Sequence, residues 1–174
     1  MDHCAECGFI YDETAIADVP ETLRSLAARY VELLGEQLGG DQPLRSRPAP
    51  DVWSALEYAC HVRDVLLVQR DRVILALVED TPGFSRMYRD ERVKLAGYPD
   101  ERPEDVASEL CMSVDLFAKV FERLTVEQAG RRCIYNFPAP TERDVAWLGR
   151  HTVHEAAHHL DDVTSVLTRV AAIS

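Results

Sequence analysis

Four of the chain's six histidines lie between positions 151 and 159, in the stretch His151-Thr-Val-His154-Glu155-Ala-Ala-His158-His159-Leu-Asp-Asp162. On a helix, Glu155 and His159 stand one turn apart on one face, and so do His154 and His158. Two imidazole or carboxylate donors at i and i+4 make half of a divalent-metal site, which then needs donors from another element. A His-rich helix can equally be polar surface, so the decision rests on where the remaining donors fall.

Two other places in the chain could supply them. Cys4-Ala-Glu-Cys7-Gly8 has the form of a metal knuckle, in which the glycine allows the tight turn that lets both thiolates face one ion. A structural zinc takes four ligands and the chain has no second Cys-x-x-Cys, so a zinc here needs residues from elsewhere; the alternative is a redox or incidental pair. His61 lies on the stripe of Tyr58, Val65 and Val68 and is expected to face inward. A lone inward histidine is more often a hydrogen-bonded core residue than a ligand, and only the distant cluster shifts that balance.

Those residues need a scaffold, and the hydrophobic pattern is helical throughout. Leu23, Leu26, Ala27, Tyr30, Leu33, Leu34 and Leu38 recur at helical spacing after Asp18-Val-Pro20, and Gly39-Gly40 ends the run. The proline-rich connection 41–50 is unsuited to helix. Ser54-Ala-Leu-Glu57 matches a capping box and opens a second helix reaching about Glu79. Residues 83–102 form a connection too long to join adjacent antiparallel helices, of a length that often covers a pocket. Pro103 begins a third helix with Val106, Leu110, Val114, Phe117, Phe121 and Leu124 on its apolar face. Residues 131–138 read as extended. Thr141-Glu-Arg-Asp144 reads as the start of a fourth helix running to about Val170, with Leu148, Thr152, Glu155, His159, Val163, Val166 and Val170 turned inward. A carboxylate on such a stripe must be paired, protonated or bound to a cation. A metal would satisfy Glu155 and His159 together, with a third ligand from a facing helix.

Composition narrows the classes of function. A formal net charge of −11 argues against nucleic acid as a partner, because phosphate contacts need clustered Lys and Arg. No apolar run approaches 18 residues, so no membrane span is expected. The N-terminus shows neither a basic nor an apolar leader region. The five cysteines, odd in number, favour a reducing cytoplasm over a disulfide framework.

The inward His61 in Glu57-Tyr-Ala-Cys-His61-Val-Arg-Asp64, together with the His-rich fourth helix, resembles the DinB-like superfamily. That superfamily also contains mycothiol-dependent maleylpyruvate isomerases and related bacterial thiol S-transferases. The likeness runs from about residue 18 to 170, and the Cys4-x-x-Cys7-Gly start looks like an actinobacterial branch of it. The resemblance implies an all-α four-helix bundle of up-down-down-up topology, residues 18–174, preceded by a Cys-x-x-Cys segment, residues 1–17. It assigns His61, Glu155 and His159 as ligands of a divalent metal, Zn²⁺ first and Ni²⁺ second. Many relatives carry His where this chain has Glu155, which keeps open a register with His154 and His158 as the ligands.

With the second and fourth helices antiparallel, as the resemblance implies, Cys60, His154 and His158 turn toward one flank. Cys4 and Cys7 are then expected to dock there and share a second zinc with Cys60 and His154 or His158; the plainer reading is a polar rim beside one small core thiol. The expected function is metal-dependent chemistry on a low-molecular-weight thiol, with a small-molecule thiol and an electrophile as partners. It would take the form of S-transfer, isomerisation or hydrolysis, with a homodimer as the assembly considered. Glu57 and Asp64 would orient His61 or be solvated charges, and Arg63, Arg70 or Arg72 would meet a carboxylate on the thiol. The rivals are a non-catalytic, metal-stabilised structural or stress-related bundle and an apolar-ligand bundle with no metal.

Overall fold

The computed structural model describes residues 2–35 and 40–173. Leu38 and Gly39, expected to close the first helix, lie outside the described residues. Four long helices carry the fold: α1 (Val19–Gly35), α2 (Ala55–Val78), α3 (Pro103–Phe121) and α4 (Val145–Ile173). α1 and α2 each pack against both α3 and α4. This is a four-helix bundle with the up-down-down-up order. That order explains the long link between α2 and α3. Two parallel neighbours must be joined along a whole helix, ~28 Å for a helix the length of α3.

Local chemistry sets the ends of these helices. Ser54 caps α2 through a full capping box: its hydroxyl accepts from Glu57 N–H, and the Glu57 carboxylate accepts from Ser54 N–H at 2.7 Å. Pro103 sits in the first turn of α3, where no N–H is needed. Pro43 does the same for a single helical turn, Gln42–Arg45, so the proline-rich connection is not wholly non-helical as expected. The link between α2 and α3 likewise contains a short helix, Arg89–Leu95.

Three short strands close one end: β1 (Gly83–Phe84), β2 (Arg132–Tyr135) and β3 (Thr141–Asp144). β2 lies between the others, parallel to β1 and antiparallel to β3, with Arg132 opposite Asp144 and Tyr135 opposite Thr141. This corrects the expectation that 141–144 begins a helix. The Asp144 carboxylate does accept from Trp147 N–H at 2.7 Å, so the capping signal was real. Cross-strand pairing nevertheless holds the residues before it extended, and α4 starts at Val145.

The core is filled by Leu23, Leu56, Leu66, Leu110, Phe117 and Leu148, with Tyr30 and Tyr98 fully buried among them. Tyr30 also donates to the carbonyl of Ala156 at 2.9 Å, which fixes α4 beside Glu155. At Gly149 α4 comes so close to α3 that an added Cβ would lie 2.3 Å from the Phe121 ring.

Candidate metal centre

His61 reaches the site from α2 and Glu155 and His159 from α4. Their donor atoms all lie within 4.8 Å of one another. The imidazole rings of His61 and His159 are 5.0 Å apart, centre to centre, and nearly perpendicular. Both histidines are buried, whereas the Glu155 side chain keeps 23% of its surface exposed, less hidden than its stripe suggests. Trp53 and Tyr58 form the walls, Trp53 edge-on to His61 at 5.3 Å and Tyr58 tilted over His159 at 5.4 Å.

The polar partners of each group define what it can do. His159 Nδ1 lies 2.8 Å from Asp162 Oδ2, so the carboxylate holds that nitrogen and leaves Nε2 on the Glu155 side, 3.9 Å from Oε2. Asp162 is an orienting residue the sequence reading did not single out, although its place three residues after His159 was the available signal. His61 Nδ1 is buried without a hydrogen-bond partner among the described residues. Burial, and after it the neighbouring His159, pushes His61 down to about 4, so it is a neutral imidazole at ordinary pH. Burial acts to raise Glu155. The hydrogen bond from His154 and the nearby His151 and His159 outweigh it and hold the carboxyl well below its usual range. A neutral imidazole with a bare buried nitrogen, an oriented imidazole and an ionised carboxylate suit a divalent cation.

Glu57 and Asp64 do not orient His61. Glu57 is occupied by Arg47, at 2.5 and 2.8 Å, and by its capping role. Asp64 takes Tyr98 at 2.7 Å, Arg92 at 3.0 Å and Arg63 at 3.1 Å. Arg63 and Arg72 are likewise held, Arg63 by Asp64 and Glu109, Arg72 by Tyr135 and the Ser85 carbonyl. A cation near the centre is Arg89, exposed and 5.8 Å from the Trp53 ring; it acts on the protonation of His61 and Tyr58, and Arg169 acts on Tyr58 as well. The place of Arg89 in the long link gave no sequence signal.

The other side of α4, read as polar, lies under the N-terminal segment. Tyr11 O–H meets His151 Nδ1 at 3.1 Å and His154 Nδ1 at 3.2 Å, while its ring stacks on Trp147. Tyr135 takes the other His151 nitrogen at 3.0 Å. With both nitrogens engaged, and burial pushing it down to about 4, His151 is a structural imidazole. Cys4, Cys7, His154 and His158 come together as a second group.

Cys60 does not join that group. It is fully buried in the core, and burial pushes its thiol up to about 12. The charged residues that act on it, Arg63, Glu101, Asp64 and Glu109, lie toward α3. One step of about 100° along α2 therefore turns Cys60 away from the knuckle's flank.

A four-helix bundle with an inward His/Glu cluster at the α2–α4 contact defines the class. The model of the DinB superfamily matches residues 15–163, and the chain belongs to that superfamily. Two solved structures share the fold. YfiT from Bacillus subtilis, described as a probable metal-dependent hydrolase with an unusual four-helix bundle topology, aligns with a TM-score of 0.79 at 16% identity. The alignment covers 98% of this chain and 94% of that one. A mycothiol-dependent maleylpyruvate isomerase aligns with a TM-score of 0.69 at 13% identity, over 89% of this chain and 63% of that one. A search of curated proteins finds no match. Among the described residues no helix is long and apolar enough to cross a membrane.

Proposed function

We propose that the chain is a metal-dependent enzyme acting on a low-molecular-weight thiol, with His61, Glu155 and His159 holding one divalent cation, Zn²⁺ ahead of Ni²⁺. The observation that carries this is the convergence of donors from three residues within 4.8 Å, one of them His61, whose buried Nδ1 has no partner among the described residues. No fourth Cys, His, Asp or Glu joins the three among the described residues. A set of three leaves a coordination position for a substrate, which favours chemistry over the purely structural reading, where four ligands would close the site.

A cation bound there supplies a Lewis acid that keeps a coordinated thiol as its thiolate, the reactive nucleophile. The protein's own residues do the rest. Asp162 locks the tautomer and direction of His159. Trp53 and Tyr58 keep one side of the centre apolar, and Arg89 places a positive charge where an anionic electrophile would arrive. Transfer forms a carbon–sulfur bond as the leaving group departs with the electron pair. Isomerisation adds the thiol across an activated double bond and expels it again. The isomerase among the fold relatives supports thiol chemistry, and YfiT, described as a probable metal-dependent hydrolase, supports hydrolysis as the second reading.

The test is metal analysis of the purified protein followed by turnover of a panel of electrophiles with and without thiol. Thiol-dependent turnover that His61→Ala abolishes is the expected result. Turnover indifferent to thiol would favour hydrolysis, and full activity after loss of the bound ion would end the proposal. Arg89→Ala should raise KM for an anionic electrophile about tenfold while leaving kcat unchanged, the scale of one charge-assisted contact.

A further inference from the structure

The N-terminal segment turns on itself before it reaches α1. Cys4 N–H donates to the Phe9 carbonyl and Gly8 N–H to the Cys4 carbonyl, both at 2.9 Å, and His3 bridges to Ile10. Gly8 takes a φ of +74°, a left-handed conformation that a residue with a side chain would resist. A short Cys-x-x-Cys-Gly turn of this shape presents both sulfurs to one point.

Facing the turn are two histidines one turn apart on α4. Each has one buried ring nitrogen without a partner among the described residues. His154 Nδ1 lies 3.2 Å from Tyr11 O–H and 3.4 Å from Glu155 Oε1, while its Nε2 is buried with no partner among the described residues. His158 Nε2 lies 3.7 Å from Glu6 and 3.8 Å from Asp162, while its Nδ1 is likewise buried and unpartnered. His154 is only 7% exposed, so its bare nitrogen is an expensive feature unless something occupies it. The four donors of Cys4, Cys7, His154 and His158 already lie within 4.8 Å of one another. A tetrahedral zinc with ordinary bond lengths would set them ~3.3–3.8 Å apart, a contraction of at most about 1.5 Å.

We infer that Cys4, Cys7, His154 and His158 form a second, closed zinc site that fastens the N-terminal segment to α4. Four protein ligands leave no position for substrate, so this zinc is structural. Binding releases the two thiol protons and joins the two sulfurs to the two bare imidazole nitrogens. The inference does not depend on the proposed function of the His61 centre, with which it shares no ligand.

The experiment uses the full-length protein purified without chelator under reducing conditions. Replacing its metal with Co²⁺ should produce thiolate-to-cobalt charge-transfer absorption. The Cys4→Ser, Cys7→Ser double variant should lose that absorption, and His61→Ala, which empties only the other centre, should keep it. A thiol-reactive probe on the wild-type protein gives a readout that needs no variant. Cys111 is exposed and should react at once, Cys60 and Cys133 are buried, and Cys4 and Cys7 should react only after a chelator is added. A wild-type protein without the charge-transfer absorption, or one whose Cys7 reacts as fast as Cys111 before chelation, overturns the inference. So does a Cys4–Cys7 disulfide formed in place of a bound metal under these reducing conditions.

Discussion

Two clusters share α4, and they are built in opposite ways. The His61, Glu155 and His159 cluster joins two long helices in the interior, so its geometry is guaranteed by the packing of α2 against α4. The Cys4, Cys7, His154 and His158 cluster joins α4 to a short turn on its outer flank, where the other ties come from residues on either side of the turn: Tyr11 on His151 and His154, Trp147 on Asp2 and Arg150 on the Thr14 carbonyl. The first has three donors and the second four. The inner cluster is thus preorganised and open, while the outer one is complete and stands to gain its order from the ion itself. Successive residues on one helix, His154 with Glu155 and His158 with His159, are divided between the two because each step turns about 100°.

That contrast can be broken by experiment, most severely at the inner cluster. His61→Ala should lower metal affinity there by more than ~100-fold, beyond the range of losses in supporting residues, with the helical circular dichroism retained because the bundle packs without the ion. A collapse of secondary structure instead would mean the inner centre is not preorganised.

Acid should act next. In metal-free protein the His61 imidazole, pushed down to about 4, gains on unfolding an ordinary value of 6.5. The unfolded chain therefore binds the proton first. The stabilising contribution is complete above pH 6.5 and is lost as the pH falls toward 4, by about 3 kcal/mol at most. Denaturant midpoints of chelated wild type against His61→Ala across that window measure it, and parallel curves would refute the burial argument.

Asp162→Asn keeps the shape of the residue that orients His159 but removes its charge, and should cost 10- to 100-fold in affinity at the inner centre. Smallest is an effect across the two clusters. The Cys4→Ser, Cys7→Ser pair releases His154, which supports Glu155 Oε1, so inner-centre affinity should drop by about tenfold or less. An unchanged inner affinity would show that the two clusters are energetically separate.

Local signals in the chain had already revealed much of this arrangement. The Ser54–Glu57 capping box, the inward stripe through His61 and the i, i+4 pairs of α4 each depend on residues a few positions apart. The DinB resemblance supplied the bundle's connectivity. What stayed hidden depended on distant pairing. The Asp144 carboxylate does cap the helix by accepting from Trp147 N–H, yet the residues before it are drawn into a strand by partners six to ten positions away. Arg132 meets both Glu142 and Asp144, at 2.7 and 3.6 Å. Cys60 looked free to join the knuckle because spacing gives an angle but not the depth of the surrounding core. Glu57 and Asp64 looked like supports for His61, and their actual partners, Arg47, Arg92 and Tyr98, come from other segments.

Gly149 shows how finely the whole arrangement is hung. α4 is a rigid rod, and it rests on the Phe121 ring at the one place where it offers no side chain. Alanine there would have to displace that ring or lift the rod. Six residues further on, any such lift would swing Glu155 and its flanking imidazoles off both clusters at once. The depth at which this helix is seated is thus a single adjustment governing two separate assemblies, and a methyl group is enough to detune it.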